Sequence, residues 1–278
     1  MEKIIISQIT GGIGNQLFQY AFAKKLALET GASLLLDTNL YKRNFIPKRD
    51  LELFLFPVQA ENLSEEHWQK LSDTILFLEE ECNLYYEEIN VENFDIPLYC
   101  KGYWQSWKYF ISIETLLRKE LCFDMVQFSE RVVELSELLS NSLSVGIHIR
   151  RTDYAMHPHL GILPISYYHH AIDYFIQKNQ KNTEFSFFVF SDDPTWVETN
   201  FTIPVSYQII KGNTGIEDLF LMSRCRNNII ANSSYSWWAA WLNPNPAKIV
   251  VVPQFWKIGE GLDVENTDLI PPEWISVW

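Results

Sequence analysis

Three short stretches carry residue types that could manage a phosphate-bearing ligand. The first is His148-Ile149-Arg150-Arg151-Thr152-Asp153, which leaves an apolar β-branched run. A guanidinium presents a planar fork of donors that matches two phosphate oxygens. Two adjacent arginines could therefore bind a diphosphate without a metal. While the strand lasts, His148 and Arg150 project to one side and Ile149 to the other. The competing reading is a surface pair bridged to Asp153, which would add little stability. The second stretch is Gly11-Gly12-Ile13-Gly14-Asn15-Gln16. Glycines after a strand permit a tight turn, and a following helix N-terminus attracts anions. The pattern is neither GxGxxG nor a P-loop, and a plain turn capped by Asn15 fits it equally. The third is Asn232-Ser233-Ser234-Tyr235-Ser236-Trp237-Trp238. Hydroxyls and free N–H groups at a helix start make a second anion cradle, or simply cap the helix through Ser233 or Ser234. Trp237 and Trp238 read as core before sugar platforms.

Two acidic pairs accompany these stretches. Asp192-Asp193 precedes Pro194 and lacks the spacing of a DxD metal motif. Asp192 could accept two N–H bonds from a guanine edge, or cap a helix. Glu217-Asp218 could hold a ribose or favour a helix dipole.

Composition narrows the choice. The chain has 278 residues, a net charge of −13, 47% apolar and 21% charged residues. That is globular, not disordered. So acidic a surface repels nucleic-acid backbones, and any anion needs a local cluster of cations such as Arg150 and Arg151. Ten tryptophans and 15% aromatics suit either sugar handling or an aromatic core. Cys82, Cys100, Cys122 and Cys225 form no CxxC pair and read as small buried hydrophobes. The apolar run in MEKIIISQITGG is too short for a secretory signal. No stretch reaches the ~18 apolar residues of a membrane span. The expectation is a cytoplasmic protein without a transmembrane segment, able to meet the inner membrane face peripherally.

Positioning elements follow from periodicity. Residues 4–6 form a strand, Phe18, Phe22 and Leu26 recur four apart until Gly31, and residues 34–36 form a second strand. This is a βαβ unit. Residues 63–71 predict a helix capped by Ser64, 99–107 a strand and loop, and 109–121 and 129–139 two helices. Ser140-Asn141-Ser142 marks a boundary, giving domains 1–141 and 142–278. In the second, strands at 143–149, 185–190, 205–210, 228–231 and 248–252 alternate with helices at 166–177, after 191–194, at 216–224 and at 235–242. Such alternation implies a parallel sheet covered on both faces. The expected architecture is α/β, two halves with a cleft between them.

Together these residues resemble the family-11 glycosyltransferases, the α-1,2-fucosyltransferases. The matching segments are GGIGNQLFQYAFAKKLA, HIRRTDY at 148–154, FSDD at 190–193 and IEDLFLMSRCRNNIIANSSYSWWAAWLN at 216–243. The resemblance implies a GT-B-like fold with two Rossmann-like domains. It implies inverting transfer of L-fucose from GDP-β-L-fucose to the 2-hydroxyl of a terminal galactose, with no metal or other cofactor. The partners implied are GDP-fucose and a galactose-terminated oligosaccharide or lipid-linked glycan. Arg150 would hold the β-phosphate, with His148, Arg151 and Asp192 at the nucleotide and Asp153 in the catalytic motif. Ser233, Ser234 and Ser236 would cradle phosphates. Gly12, Gly14, Asn15 and Gln16 would approach the donor from the N-terminal, acceptor-side domain. Two positions depart from the family: Asn227 stands where members often carry His, and Pro158 where some related enzymes carry a Glu base. His157 and His159 lie close by in sequence and could face the acceptor. Other readings are a different nucleotide-sugar or linkage, and a non-catalytic carbohydrate-binding protein. The arginine pair argues against the last, since a neutral glycan gives it nothing to bind.

Overall fold

The strand-helix alternation of the sequence becomes two parallel sheets, each with its own helices. The computed structural model describes residues 3–42, 49–81, 85–91, 94–152, 154, 161–178, 184–258, 264–265 and 268–278. One unit comprises Met1–Phe123 with Thr267–Pro271, the other Asp124–Asn266 with Pro272–Trp278. The division therefore falls at 123/124, not at the 141/142 boundary predicted from Ser140-Asn141-Ser142. The reason is packing. Helix α4 (Glu130–Asn141) buries Val132, Ser136 and Leu139, Phe128 just before it stacks on Phe220 at 4.4 Å, and Arg131 bonds the Gly212 carbonyl.

In the N-terminal unit the strands are β1 (Ile4–Gln8), β2 (Ser33–Asp37), β3 (Glu61–Asn62), β4 (Leu76–Glu79) and β5 (Leu98–Lys101). They lie in the order β3-β2-β1-β5-β4, and every pair is parallel. The order reverses between β1 and β5. Helix α1 (Ile13–Thr30) follows β1, and Gly31, at φ 66°, closes it with an N–H bond to the Ala27 carbonyl. This helix is buried on most of its circumference, including Gln16, Gln19 and Lys24. A helix buried all round needs partners for such polar groups. Lys24 pairs with Glu120 at 2.9 Å, and Tyr20 donates to the same carboxylate at 2.5 Å. Helix α2 (Glu65–Leu71) starts as expected, with Ser64 Oγ accepting from the His67 N–H. The predicted helix over 109–121 is broken instead. Single 3-10 turns at Trp107–Tyr109 and Ile111–Ile113 precede α3 (Glu114–Glu120), because fully buried Phe110 sits at a non-helical φ of −134°. Cys122, just past α3, is exposed, contrary to the buried role expected of it; Cys100 and Cys225 are buried, and Cys82 lies outside the described residues.

In the C-terminal unit the strands are β6 (Ser144–Ile149), β7 (Ser186–Ser191), β8 (Tyr207–Ile210), β9 (Asn227–Ile229), β10 (Val250–Pro253) and β13 (Ile275–Val277), with a small antiparallel pair, β11 (Phe255–Lys257) and β12 (Val264–Glu265). The six-stranded sheet runs β13-β10-β9-β6-β7-β8, parallel throughout. Among the described residues three short strands follow the predicted strand at 248–252. Its helices are α5 (Ile165–Lys178), α6 (Pro194–Asn200), α7 (Gly215–Arg224) and α8 (Ser234–Leu242). Val145, Ile147 and Ile149 of β6 pack with Tyr167, Ile172 and Phe175 of α5 in one core. A side chain at Gly146 would put its Cβ 2.9 Å from Cys225 Sγ, so a glycine lets β6 approach the end of α7. The sheet reverses order between β6 and β9.

Candidate active site

Open parallel sheets bind ligands past the carboxyl ends of their strands, at the point where strand order reverses. In the C-terminal unit that point lies beyond β6 and β9. His148 and Arg150 leave β6 there, and residues 231–236 leave β9. Asp192 follows β7, the neighbour of β6.

Asp192 holds the arginine turn in place. Its carboxylate accepts the Arg151 N–H at 2.9 Å, the Thr152 N–H at 3.2 Å and the Thr152 hydroxyl at 2.6 Å. Its Oδ2 also lies 3.3 Å from Arg150 Nε. Helix capping falls to Asp193, which accepts the Trp196 N–H at 2.9 Å. Asp192 therefore orients Arg150 through its own loop. The Arg150 guanidinium sits 5.7 Å from the Tyr154 ring, and the Tyr154 hydroxyl donates to the Asn232 carbonyl at 2.8 Å. The arginine turn and the serine loop are thereby joined. The Arg151 guanidinium takes a different course and lies over the Trp196 ring, 3.6 Å from its centre. Trp196 was not singled out from the sequence; its place three residues after the capping Asp193 was the available signal.

His148 is buried, with its ring 5.4 Å from that of Tyr235. Its Nδ1 has no hydrogen-bond partner among the described residues. Burial, and then the Arg150 charge, push its pKa down to about 3 despite Asp192. The ring is neutral at physiological pH and presents a nitrogen with an unmet hydrogen bond.

The serine loop divides by role. Ser233 is the N-cap of α8, yet its side chain makes no capping bond. Ser234 opens the helix at the half-buried surface. Ser236 is fully buried, with its hydroxyl turned to the Ala231 and Ser233 carbonyls at 3.4 and 3.3 Å. Asn232 anchors the loop by donating to the carbonyls of Gly161 and Trp256, both at 3.1 Å. Trp237 and Trp238 are fully buried and belong to the core. Asn227 accepts the Ile249 N–H at 2.9 Å and serves the strand network. Glu217 completes a capping box with Thr214. Asp218 accepts from Asn213 at 2.7 Å, and burial raises its pKa to about 6. Asp153, Pro158, His157 and His159 lie outside the described residues.

The N-terminal unit has its own reversal point, beyond β1 and β5. Gly11 adopts φ 79°, the left-handed turn that glycine permits. Gly12 is the N-cap of α1, and a Cβ there would meet nothing within 4 Å. Gly14 is buried in the first turn. Asn15 Oδ1 accepts from Gln105 Nε2 at 2.8 Å, which links the loop after β1 to the loop after β5. Gln19 links them again, through the Thr10 N–H at 2.9 Å and the Gly102 carbonyl at 2.9 Å. The Gln16 side chain is spent on the fold. It donates to the carbonyls of Gly11 and Asp50 at 3.1 and 2.8 Å, and accepts the N–H groups of Glu52 and Leu53 at 3.0 and 2.9 Å. Beyond β5, Trp104 holds φ 55°, a strained value for a bulky residue. Its ring stacks on Phe22 at 3.9 Å, and Glu80 accepts the N–H groups of Tyr103 and Trp104 at 2.6 and 3.0 Å. Of the predicted residues, His148, Arg150, Arg151, Asp192 and the three serines gather at one sheet edge. Gly12, Gly14, Asn15 and Gln16 gather at the edge of the other unit.

The chain resembles known proteins in sequence and in fold. It is 32% identical to an α-1,2-colitosyltransferase of Escherichia coli over 302 residues, 99% of each chain. It is also 32% identical to the O-antigen biosynthesis glycosyltransferase WbnK of Escherichia coli, over 98% of this chain and 99% of that one. Its fold matches the crystal structure of NodZ α-1,6-fucosyltransferase co-crystallised with GDP, with a TM-score of 0.56 at 16% identity, over 88% of this chain and 93% of NodZ. The expected GT-B-like class of two Rossmann-like parallel-sheet units is therefore the fold observed. Residues 76–277 match the family described as Glycosyl transferase family 11, and the chain belongs to that family.

Proposed function

We propose that this chain is an inverting transferase that moves L-fucose from GDP-β-L-fucose to the 2-hydroxyl of a terminal galactose, without a metal. The observation that carries the reading is Arg150, aimed by Asp192 at the reversal point of a parallel sheet and joined through Tyr154 to the start of α8. Leaving GDP gains negative charge as the glycosidic bond breaks, and preorganised donors stabilise it most at that moment. Arg150 supplies charge, while Ser233, Ser234 and the first N–H groups of α8 supply hydrogen bonds. The neutral His148 offers its unmet nitrogen to the nucleotide. In this reading the C-terminal unit holds the donor and the N-terminal unit the acceptor.

The α-1,2 linkage is supported by the name of the colitosyltransferase relative. That name also favours a second reading, a colitosyl donor. Colitose is fucose without its 3-hydroxyl. A site that hydrogen-bonds this hydroxyl rejects the deoxy sugar strongly, whereas an apolar site discriminates weakly. The WbnK relative, named for O-antigen biosynthesis, supports a glycan acceptor, which we propose is carried on a lipid. Such an acceptor suits a cytoplasmic enzyme working at the inner membrane face. Among the described residues no helix is long and apolar enough to cross a membrane.

The test is GDP release in EDTA from GDP-fucose, from its 3-deoxy analogue and from GDP-mannose. The acceptors are lactose, N-acetyllactosamine and galactosyl-β-1,3-N-acetylhexosamines. Acceptor-stimulated release with GDP-fucose, and an α-1,2 linkage by NMR of the product, is the expected outcome. Release only with the deoxy donor selects the second reading. Tight glycan binding indifferent to GDP would remove both.

A further inference from the structure

The two arginines that follow β6 part to opposite faces of the sheet. Strand residues alternate between faces, and the alternation carries on past Ile149. On one face His148 meets Tyr235 of α8. The Arg150 guanidinium lies near Tyr154, which bonds the Asn232 carbonyl of the serine loop. On the other face Val145, Ile147 and Ile149 enter the core shared with α5, and Trp196 of α6 packs against that core. The Arg151 guanidinium lies over this Trp196, 3.6 Å from the ring centre. It therefore stands on the side of Ile149, not on the side of His148 and Arg150. The sheet order repeats the division. The reversal point lies between β6 and β9, whereas Trp196 follows β7, on the opposite flank of β6. The segment after β7 thus grips the arginine turn twice. Asp192 accepts the backbone N–H groups of Arg151 and Thr152, and four residues later Trp196 takes the Arg151 side chain. Trp196 is itself fixed, its N–H donating to Asp193 at 2.9 Å.

We infer that Arg151 and Trp196 are positioning residues: the pair anchors the turn to α6 so that Arg150 keeps its aim, and Arg151 itself meets no part of the donor. The inference rests on the transferase reading above. A guanidinium over an indole is held by attraction to the ring face, and truncating either partner removes the contact. Arg151 sits between Arg150 and Thr152, whose side chains both reach the Asp192 carboxylate. Freeing the Arg151 side chain therefore loosens the same turn that Asp192 uses to orient Arg150.

The experiment measures GDP affinity by calorimetry, and transfer from the donor that wild type uses. The variants are Arg151→Ala, Trp196→Ala, the two together, and each of them in the Arg150→Ala background. Each single change should lower GDP affinity, and kcat/KM about tenfold. The double variant should also lose about tenfold rather than about a hundredfold, because both truncations remove one contact. In the Arg150→Ala background neither change should weaken GDP binding further, since both act through Arg150. Trp196→Phe, which keeps a ring face, should recover most of the loss, and Trp196→Leu should not. Should Trp196→Ala fail to fold, Trp196→Leu takes its place in the cycle. Losses that multiply in the double variant overturn the inference alone. So does a further fall in GDP affinity when Arg151→Ala is added to Arg150→Ala, which would make Arg151 a ligand of the donor. Full activity in Trp196→Ala, or a Trp196→Phe no better than Trp196→Leu, overturns it as well. A wild type that binds no GDP overturns the donor reading and this inference together.

Discussion

The two sheets of this enzyme share a topology at their reversal points and differ in what they place there. Beyond β6 and β9 the edge is cationic and held by an acid, with Arg150 and Arg151 kept in place by Asp192 and Trp196. Beyond β1 and β5 the edge is built of amides, tyrosines and carboxylates. In both, most of the polar residues serve the loops themselves. Asp192 and Gln16 play the same part in the two units, each satisfying backbone N–H groups of a neighbouring loop. The comparison separates groups that hold a loop from groups left to meet a substrate. Motif membership alone does not make that separation.

The largest effect should come from breaking the cationic edge. Arg150→Ala should lower kcat about 10²–10³-fold, as loss of a charge-stabilising donor does, and also weaken GDP binding by calorimetry. Near-normal turnover would place the donor elsewhere. Gln16→Ala should act on stability, since it strips partners from buried backbone groups; the expected cost is about 1–3 kcal/mol, read by urea unfolding. A full-strength fold with lost GDP affinity would instead make Gln16 a ligand. Arg151→Ala should cost about tenfold in kcat/KM, in keeping with a residue whose guanidinium stacks on an indole. A loss as large as that of Arg150→Ala would erase the distinction between the pair.

The smallest effect concerns His148. Its folded pKa is pushed down to about 3 by burial and the Arg150 charge, from the ordinary histidine value of about 6.5, so the unfolded chain takes up the proton first. Stability should therefore fall as pH drops below about 6.5 towards 3, by about 1.4 kcal/mol per pH unit at most. The slope of urea stability against pH should be shallower in His148→Asn. An unchanged slope would show that His148 is protonated alike in both states.

Much of the C-terminal unit was legible, because buried parallel strands are short apolar runs and their helices carry apolar faces. The N-terminal unit was harder. Strand β4 exposes Leu76 and Phe77 and lacks the burial pattern that marks a strand. Helix α3 is short because buried Phe110 breaks its start. The boundary at 141/142 followed a polar cluster, but α4 packs by its apolar face, and that face belongs to the second unit. For the site, HIRRTDY and NSSYSWW were visible as strand-end and helix-start patterns. Trp196 was not, because its role depends on Arg151, a partner distant in sequence.

The sequence by itself determined the α/β class, the strands that end in His148 and before Asn232, and the family to which the chain belongs. Local periodicity and contiguous motifs carry that information without reference to distant residues. Only the tertiary structure decided the strand order, and with it the two reversal points. It also decided that Asp193 rather than Asp192 caps α6, and that Gln16 and Ser236 turn their polar atoms to the backbone while Ser233 makes no capping bond. Hydrogen-bond capacity is finite, and which partner fills it depends on which loops the folded chain brings within three ångströms.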